Sequence, residues 1–133
     1  MSLTDTLLSF EEVEEGNKVI CDFIHLEKQD TFSGYRYLYH GTNFTDVFFH
    51  SSFYWLAPVI DKIERLGYDT NIIGRNNSSK LEHTFIITKQ GTTENLVDVV
   101  SDFKVTAVWK GIISFIKDVY PTLPKEQTKL KLL

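Results

Sequence analysis

Apolar positions recur along this chain in two different periods, and the alternation between them sets out the expected architecture. Phe10, Val13, Val19, Ile20, Phe23, Ile24 and Leu26 fall at helical spacing behind a run of glutamates at positions 11 to 15. Carboxylates favour the positive end of a helix dipole, so a helix is expected to start near Glu11 or Glu14 and end near Glu27. Gly16-Asn17 weakens its first turn, and the firmer piece is expected at about 16 to 27. Leu56, Val59, Ile60, Ile63 and Leu66 repeat the three- and four-residue spacing, with Asp61, Lys62, Glu64 and Arg65 assigned to the opposite face. Ser51 or Ser52 offers an N-cap, Pro58 suits the first turn or a bend, and Gly67 suits the stop, so a second helix is expected over 53–66. Val105, Val108, Trp109, Ile112, Ile113, Phe115, Ile116 and Val119 form a third seam. Asp102 as N-cap and Pro121 as stop bound that helix at about 103 to 120.

Between the helices the period shortens. Tyr35 to His40 and Asp46 to His50 are rich in residues that fit a pleated surface, and Gly41-Thr42-Asn43 supplies a turn between them, predicting a hairpin-like excursion. Tyr68 to Arg75 and Leu81 to Lys89 bracket the polar loop Asn76-Asn77-Ser78-Ser79-Lys80, which predicts a β-hairpin. Asn95 to Val100 reads as a short further strand or an irregular crossover. The fold class is therefore α+β: an antiparallel sheet of three to five strands packed by three main helices, in one domain over 1–133. Its ordered core is expected at about 10–120, with 121–133 as a mobile tail whose Leu130, Leu132 and Leu133 are able to dock.

Composition narrows the function. A chain of 133 residues with 42% hydrophobic and 14% aromatic residues is globular in type. Its formal net charge of −4 is unevenly spread, with eight acids against two lysines in residues 1–30 and six lysines against three acids in 101–133. No continuous basic stripe is visible, which argues against a nucleic-acid partner. Cys21 is the one cysteine, so no intrachain disulfide forms, and between Ile20 and Phe23 it reads as a small buried apolar residue. The absence of a long apolar run or a leader-like N-terminus gives the expectation of a cytoplasmic protein with no membrane association.

No motif carries a reaction. His50, Asp61 and His83 are the residues available for a metal or hydrolytic site, yet they lack close paired spacing and read more simply as hydrogen-bonded structural groups. No cofactor or metal is expected, and the reading leans away from an enzyme. Arg75 and Lys80 flank a loop able to contact a phosphate, although it has no glycine run and does not open a helix. The aromatic run is the stronger signal. Tyr35, Tyr37, Tyr39, Phe48, Phe49, Phe53, Tyr54 and Trp55 are more than a small domain readily buries, and of these Tyr35, Tyr37, Tyr39, Phe53, Tyr54 and Trp55 form the candidate binding set, for a partner protein or a second copy of the chain. The three tyrosines of positions 35 to 39 share one parity of a strand, so one strand face is expected to present them while Arg36 and Leu38 point the other way.

Phe49-His50-Ser51-Ser52, followed by Trp55-Leu56, Pro58-Val59, Ile63-Glu64 and Leu66-Gly67, resembles the central motif of a group of small proteins carried by phages and mobile elements of gut Bacteroidetes. The closing segment Val105 to Ile116 is similar to that group's C-terminal helix, and the resemblance covers Phe48 to Tyr120. It implies helices packed on an antiparallel sheet and brings no established activity. One departure is Tyr54, which stands where the group tends to carry an acidic residue. The resemblance implies a non-catalytic accessory protein acting by binding in a bacterial host, with a host-directed counter-defence inhibitor as one form. The alternative is a protein that binds or sequesters a nucleotide or another small phosphorylated signal.

Overall fold

The structure is a computed structural model that describes residues 8–31, 34–77 and 80–124. Expectations for Ser78, Ser79 and residues 125–133 lie outside the described residues, as does the side chain of Tyr35.

Helix α1 (Phe10–Ile24) starts earlier than the glutamates suggest, because Ser9 and Glu12 form a capping box. The Ser9 hydroxyl accepts from the Glu12 amide at 3.0 Å, and the Glu12 carboxylate accepts from the Ser9 amide at 3.3 Å. Gly16-Asn17 does not interrupt it. A Cβ on Gly16 would overlap the Trp109 indole and lie 2.6 Å from Ile113 Cδ1, so this glycine sets how closely α1 approaches the third helix. The C-terminus closes at His25, whose φ of 59° lets Leu26 N–H reach the Cys21 carbonyl at 2.9 Å in a Schellman arrangement.

Strands β1 (Gln29–Thr31), β2 (Gly34–Tyr39) and β3 (Thr42–Phe44) form a small antiparallel sheet in that order. His40 and Gly41, with φ of 52° and 77°, make the two-residue turn that pairs Tyr39 with Thr42. The second strand expected at Asp46 to His50 is not formed. Val47 and Phe49 are buried while Phe48 is exposed, which is the alternation of a strand, but β3 already pairs with β2 and the segment runs on as a turn.

Helix α2 (Phe53–Arg65) contains Pro58 and begins at Ser52, which holds the N-cap position without a side-chain capping bond. Lys62 was assigned to its polar face; instead it is only 2% exposed. Its ammonium donates to the Phe23 carbonyl, one of the acceptors left open where α1 ends, and lies 4.4 Å from the Phe23 ring centroid. Burial lowers the pKa of this amine. The aliphatic stem supplies the seam and the helix end supplies the charge partner, which is why a lysine fits there.

Strands β4 (Tyr68–Asn77), β5 (Lys80–Lys89) and β6 (Asn95–Ser101) form the second antiparallel sheet, with Asn95 onward as a true strand. Helix α3 (Lys104–Asp118) packs on β5 and β6, α2 on β4, and α1 rests on α3 and α2. A Cβ on Gly111 would enter the Phe85 ring, so α3 lies directly on the sheet there. The expected N-cap Asp102 is displaced: Phe103 holds that position, and Asp102 pairs with Lys80 at 2.9 Å. Ile20, Leu56, Val59, Ile63, Phe85, Ile87, Ile112 and Phe115 share one core with no exposure. Past α3, Tyr120–Thr122 form a short 3-10 turn; Tyr120 meets Phe23 edge-on at 4.8 Å, and Leu123 packs against the core. The described residues thus form an α+β fold of three α-helices and two three-stranded antiparallel sheets. No described helix is long and apolar enough to cross a membrane.

Candidate binding site

The aromatic residues divide into a buried stack and an exposed border around it. Tyr39 lies flat on Trp55, with ring centroids 4.3 Å apart and planes within 11°. Its hydroxyl donates to the Trp55 carbonyl at 2.7 Å, and burial holds the phenol well above its usual pKa. Phe44, Phe49 and Phe48 meet the indole edge-on at 4.7, 5.3 and 5.8 Å. Tyr39 and Trp55 are therefore core residues, not contact residues. The parity expected of β2 is right and its direction is reversed: Tyr39 is buried and Tyr37 half-buried, whereas Leu38 is exposed.

Phe53 and Tyr54 do stand at the surface, 41% and 54% exposed, and Phe48 joins them at 40%. His40 completes this corner. The left-handed turn at residues 40 and 41 brings its imidazole 5.5 Å from Tyr54 and 4.3 Å from Tyr39. Phe48 belonged to the aromatic run singled out in the sequence but not to the candidate binding set, and His40 belonged to neither. The signal for His40 was the two-residue His-Gly turn between β-prone runs.

The other candidates separate. Lys80 is engaged by Asp102, and Arg75 lies exposed in a hollow of about 400 Å³ that also contains Glu82. A carboxylate in that lining opposes an anion and weakens the phosphate reading. Asp61 pairs with Arg65 at 3.2 Å. His83 Nδ1 is buried with no hydrogen-bond partner among the described residues. Among the described residues no three His, Cys, Asp or Glu side chains gather as metal ligands would. Cys21 is buried, which together with Asp22 and Asp46 pushes its thiol up to about 11.

His50 belongs to a structural relay. The Trp109 indole N–H donates to Asn17 Oδ1 at 2.9 Å, and Asn17 Nδ2 lies 3.0 Å from His50 Nδ1. An indole only donates, so the Asn17 amide must face it with oxygen and offer its NH₂ to His50, which accepts through an unprotonated Nδ1. Burial lowers the His50 pKa, with Asp46 opposing. The folded chain then binds fewer protons at His50 than the unfolded chain does. This contribution to stability is complete above the ordinary imidazole value of about 6.5 and is lost as pH falls below it toward the folded pKa. Melts from about pH 8 to pH 5 are expected to show a loss at the acid end that is smaller in His50→Leu. Equal pH dependence in the two proteins would refute the assignment.

The chain matches no family model, no curated protein and no solved structure. What the described residues define is a small α+β fold that exposes aromatic side chains beside a packed core.

Proposed function

We propose that this protein is a non-catalytic binding protein that acts through the corner formed by His40, Phe48, Phe53 and Tyr54. The observations that support this are the exposure of His40, Phe48, Phe53 and Tyr54, the contact of Phe48 with the packed Trp55 ring, and the contacts of His40 and Tyr54 with Tyr39, which is stacked on that ring. Aromatic groups anchored on a rigid base give large contact area at low entropic cost, as in the centres of protein interfaces. The Phe49 to Gly67 motif and its resemblance add the setting: an accessory factor of a phage or mobile element, acting in the bacterial cytoplasm on a host protein, as a counter-defence inhibitor does. Capture of a small phosphorylated ligand by Arg75 is the weaker reading, because Glu82 shares its hollow.

The test is affinity capture from host lysate with wild type and with a Phe48→Ala/Tyr54→Ala double variant, each melted in parallel. Loss of two exposed anchors is expected to cut capture of the partner by roughly tenfold or more, since hot-spot truncations cost about 2 kcal/mol or more. The melting temperature should stay close to that of wild type. Capture by the variant equal to wild type per folded molecule rejects the proposal.

A further inference from the structure

A groove of about 1090 Å³ runs along α1, and none of the aromatic corner's exposed rings lines it. One wall is a single face of that helix, from Phe10 through Val13, Asn17 and Cys21 to the Leu26–Lys28 segment beyond its end. The other wall is Tyr37, Asp46, Val47 and His50.

Two properties characterise this groove. The first is charge. Its lining carries Glu11, Glu14, Glu15, Asp22, Glu27 and Asp46 against Lys18 and Lys28, a net of −4. The whole chain also has a net charge of −4, from 18 acids and 14 bases, so acids and bases outside the groove balance. Glu15 also reaches Lys117 at 3.7 Å; all six carboxylate residues are exposed. The second is apolar surface left exposed among the described residues. Phe10 is 79% exposed, the largest exposure of any bulky apolar side chain described, and half-buried Val13 lies one turn along the same face. Tyr37 and Leu26, which pack against the core, continue the apolar strip.

We propose that this groove is a docking site for a cationic amphipathic segment of a partner protein, of helical length comparable to α1. A strip of apolar side chains would lie along Phe10, Val13 and Tyr37, and flanking lysines or arginines would meet the carboxylates on both rims. An acidic concave surface raises the local concentration of such a segment and excludes acidic ones, while the apolar floor sets its register. At 1.5 Å per residue, α1 and a peptide of about 15 residues both span about 22 Å. This inference rests on the groove alone and stands apart from the aromatic corner.

The probes are three synthetic peptides of about 15 residues, matched to that length. One is a Lys/Leu amphipathic helix, one a Lys/Ser analogue of equal charge, and one a Glu/Leu analogue of equal apolar surface. Each is titrated into the full chain at physiological salt, by calorimetry and by amide chemical shifts. The Lys/Leu peptide is expected to bind one per chain and to shift amides of α1 and residues 37 and 46–50. It should bind at least tenfold more tightly than either analogue. A Phe10→Ser/Val13→Ser variant should lose about tenfold in affinity while keeping its melt, since neither residue belongs to the core; Glu14→Gln/Glu27→Gln, which leaves the floor intact, should weaken binding and flatten its salt dependence. Equal binding of the Lys/Ser or Glu/Leu peptide, shifts centred elsewhere, or no binding of the Lys/Leu peptide overturns the proposal. So do concentration-dependent groove shifts without peptide, which would make a second copy the occupant.

Discussion

Trp55→Ala is expected to destabilise the protein by about 3 to 5 kcal/mol, the cost of truncating a large aromatic side chain in a packed interior. The indole is 3% exposed and touches four rings, with Tyr39 stacked on it and Phe44, Phe48 and Phe49 at its edges. Removing it leaves a cavity among rings that cannot collapse without moving β2, because Tyr39 is held to α2 through its bond to the residue 55 carbonyl. For a chain of this size the loss corresponds to a fall in melting temperature of roughly 10 to 20 °C. Tyr54 is one residue away, and its replacement by alanine should move the melt by only a few degrees. Adjacent aromatic residues with such different melts would separate foundation from contact surface. Similar losses at both positions would mean that the corner is continuous core.

Ile63→Ala and Ile112→Ala come next, each expected to cost about 2 to 5 kcal/mol. Both side chains have no exposure; Ile63 lies on α2, which packs on β4, and Ile112 on α3, which packs on β5 and β6. Neighbouring Gly111 lies against the Phe85 ring, so the contact around Ile112 has little room to close over a void. Denaturant titration measures this best, since a change in midpoint at constant slope reports stability alone. A midpoint like that of wild type for both variants would refute the packing of the two helices on the sheet.

The helices were readable because each carries its apolar seam within its own sequence, and α2 and α3 lie within two residues of the bounds that spacing and caps imply. What sequence periodicity cannot carry is a partner supplied from elsewhere. Lys62 looked solvated because its acceptor is Phe23, 39 residues earlier, and Asn17 looked like a helix weakness because its partners are His50 and Trp109, 33 and 92 residues away. Asp46 to His50 alternates like a strand because Val47 and Phe49 pack in the core while Phe48 stays exposed, although the segment is a bend and turn that pairs with no described strand. Tyr37 and Tyr39 show the same limit: their parity follows from the strand, and which face meets the core follows from α2 and the Trp55 ring on which Tyr39 stacks. The aromatic corner was therefore half legible. Phe53 and Tyr54 were readable as surface residues and Phe48 as one of the aromatic run, whereas His40 joins Tyr54 only through the turn at residues 40 and 41.

Hydrogen–deuterium exchange of the protein with and without its captured partner tests the central claim most directly, because it maps contact on wild-type protein without any substitution. The account expects new protection at His40, at Phe48 and across Phe53 to Trp55. Protection confined to β4, β5 and β6, with exchange at this corner unchanged, would contradict it.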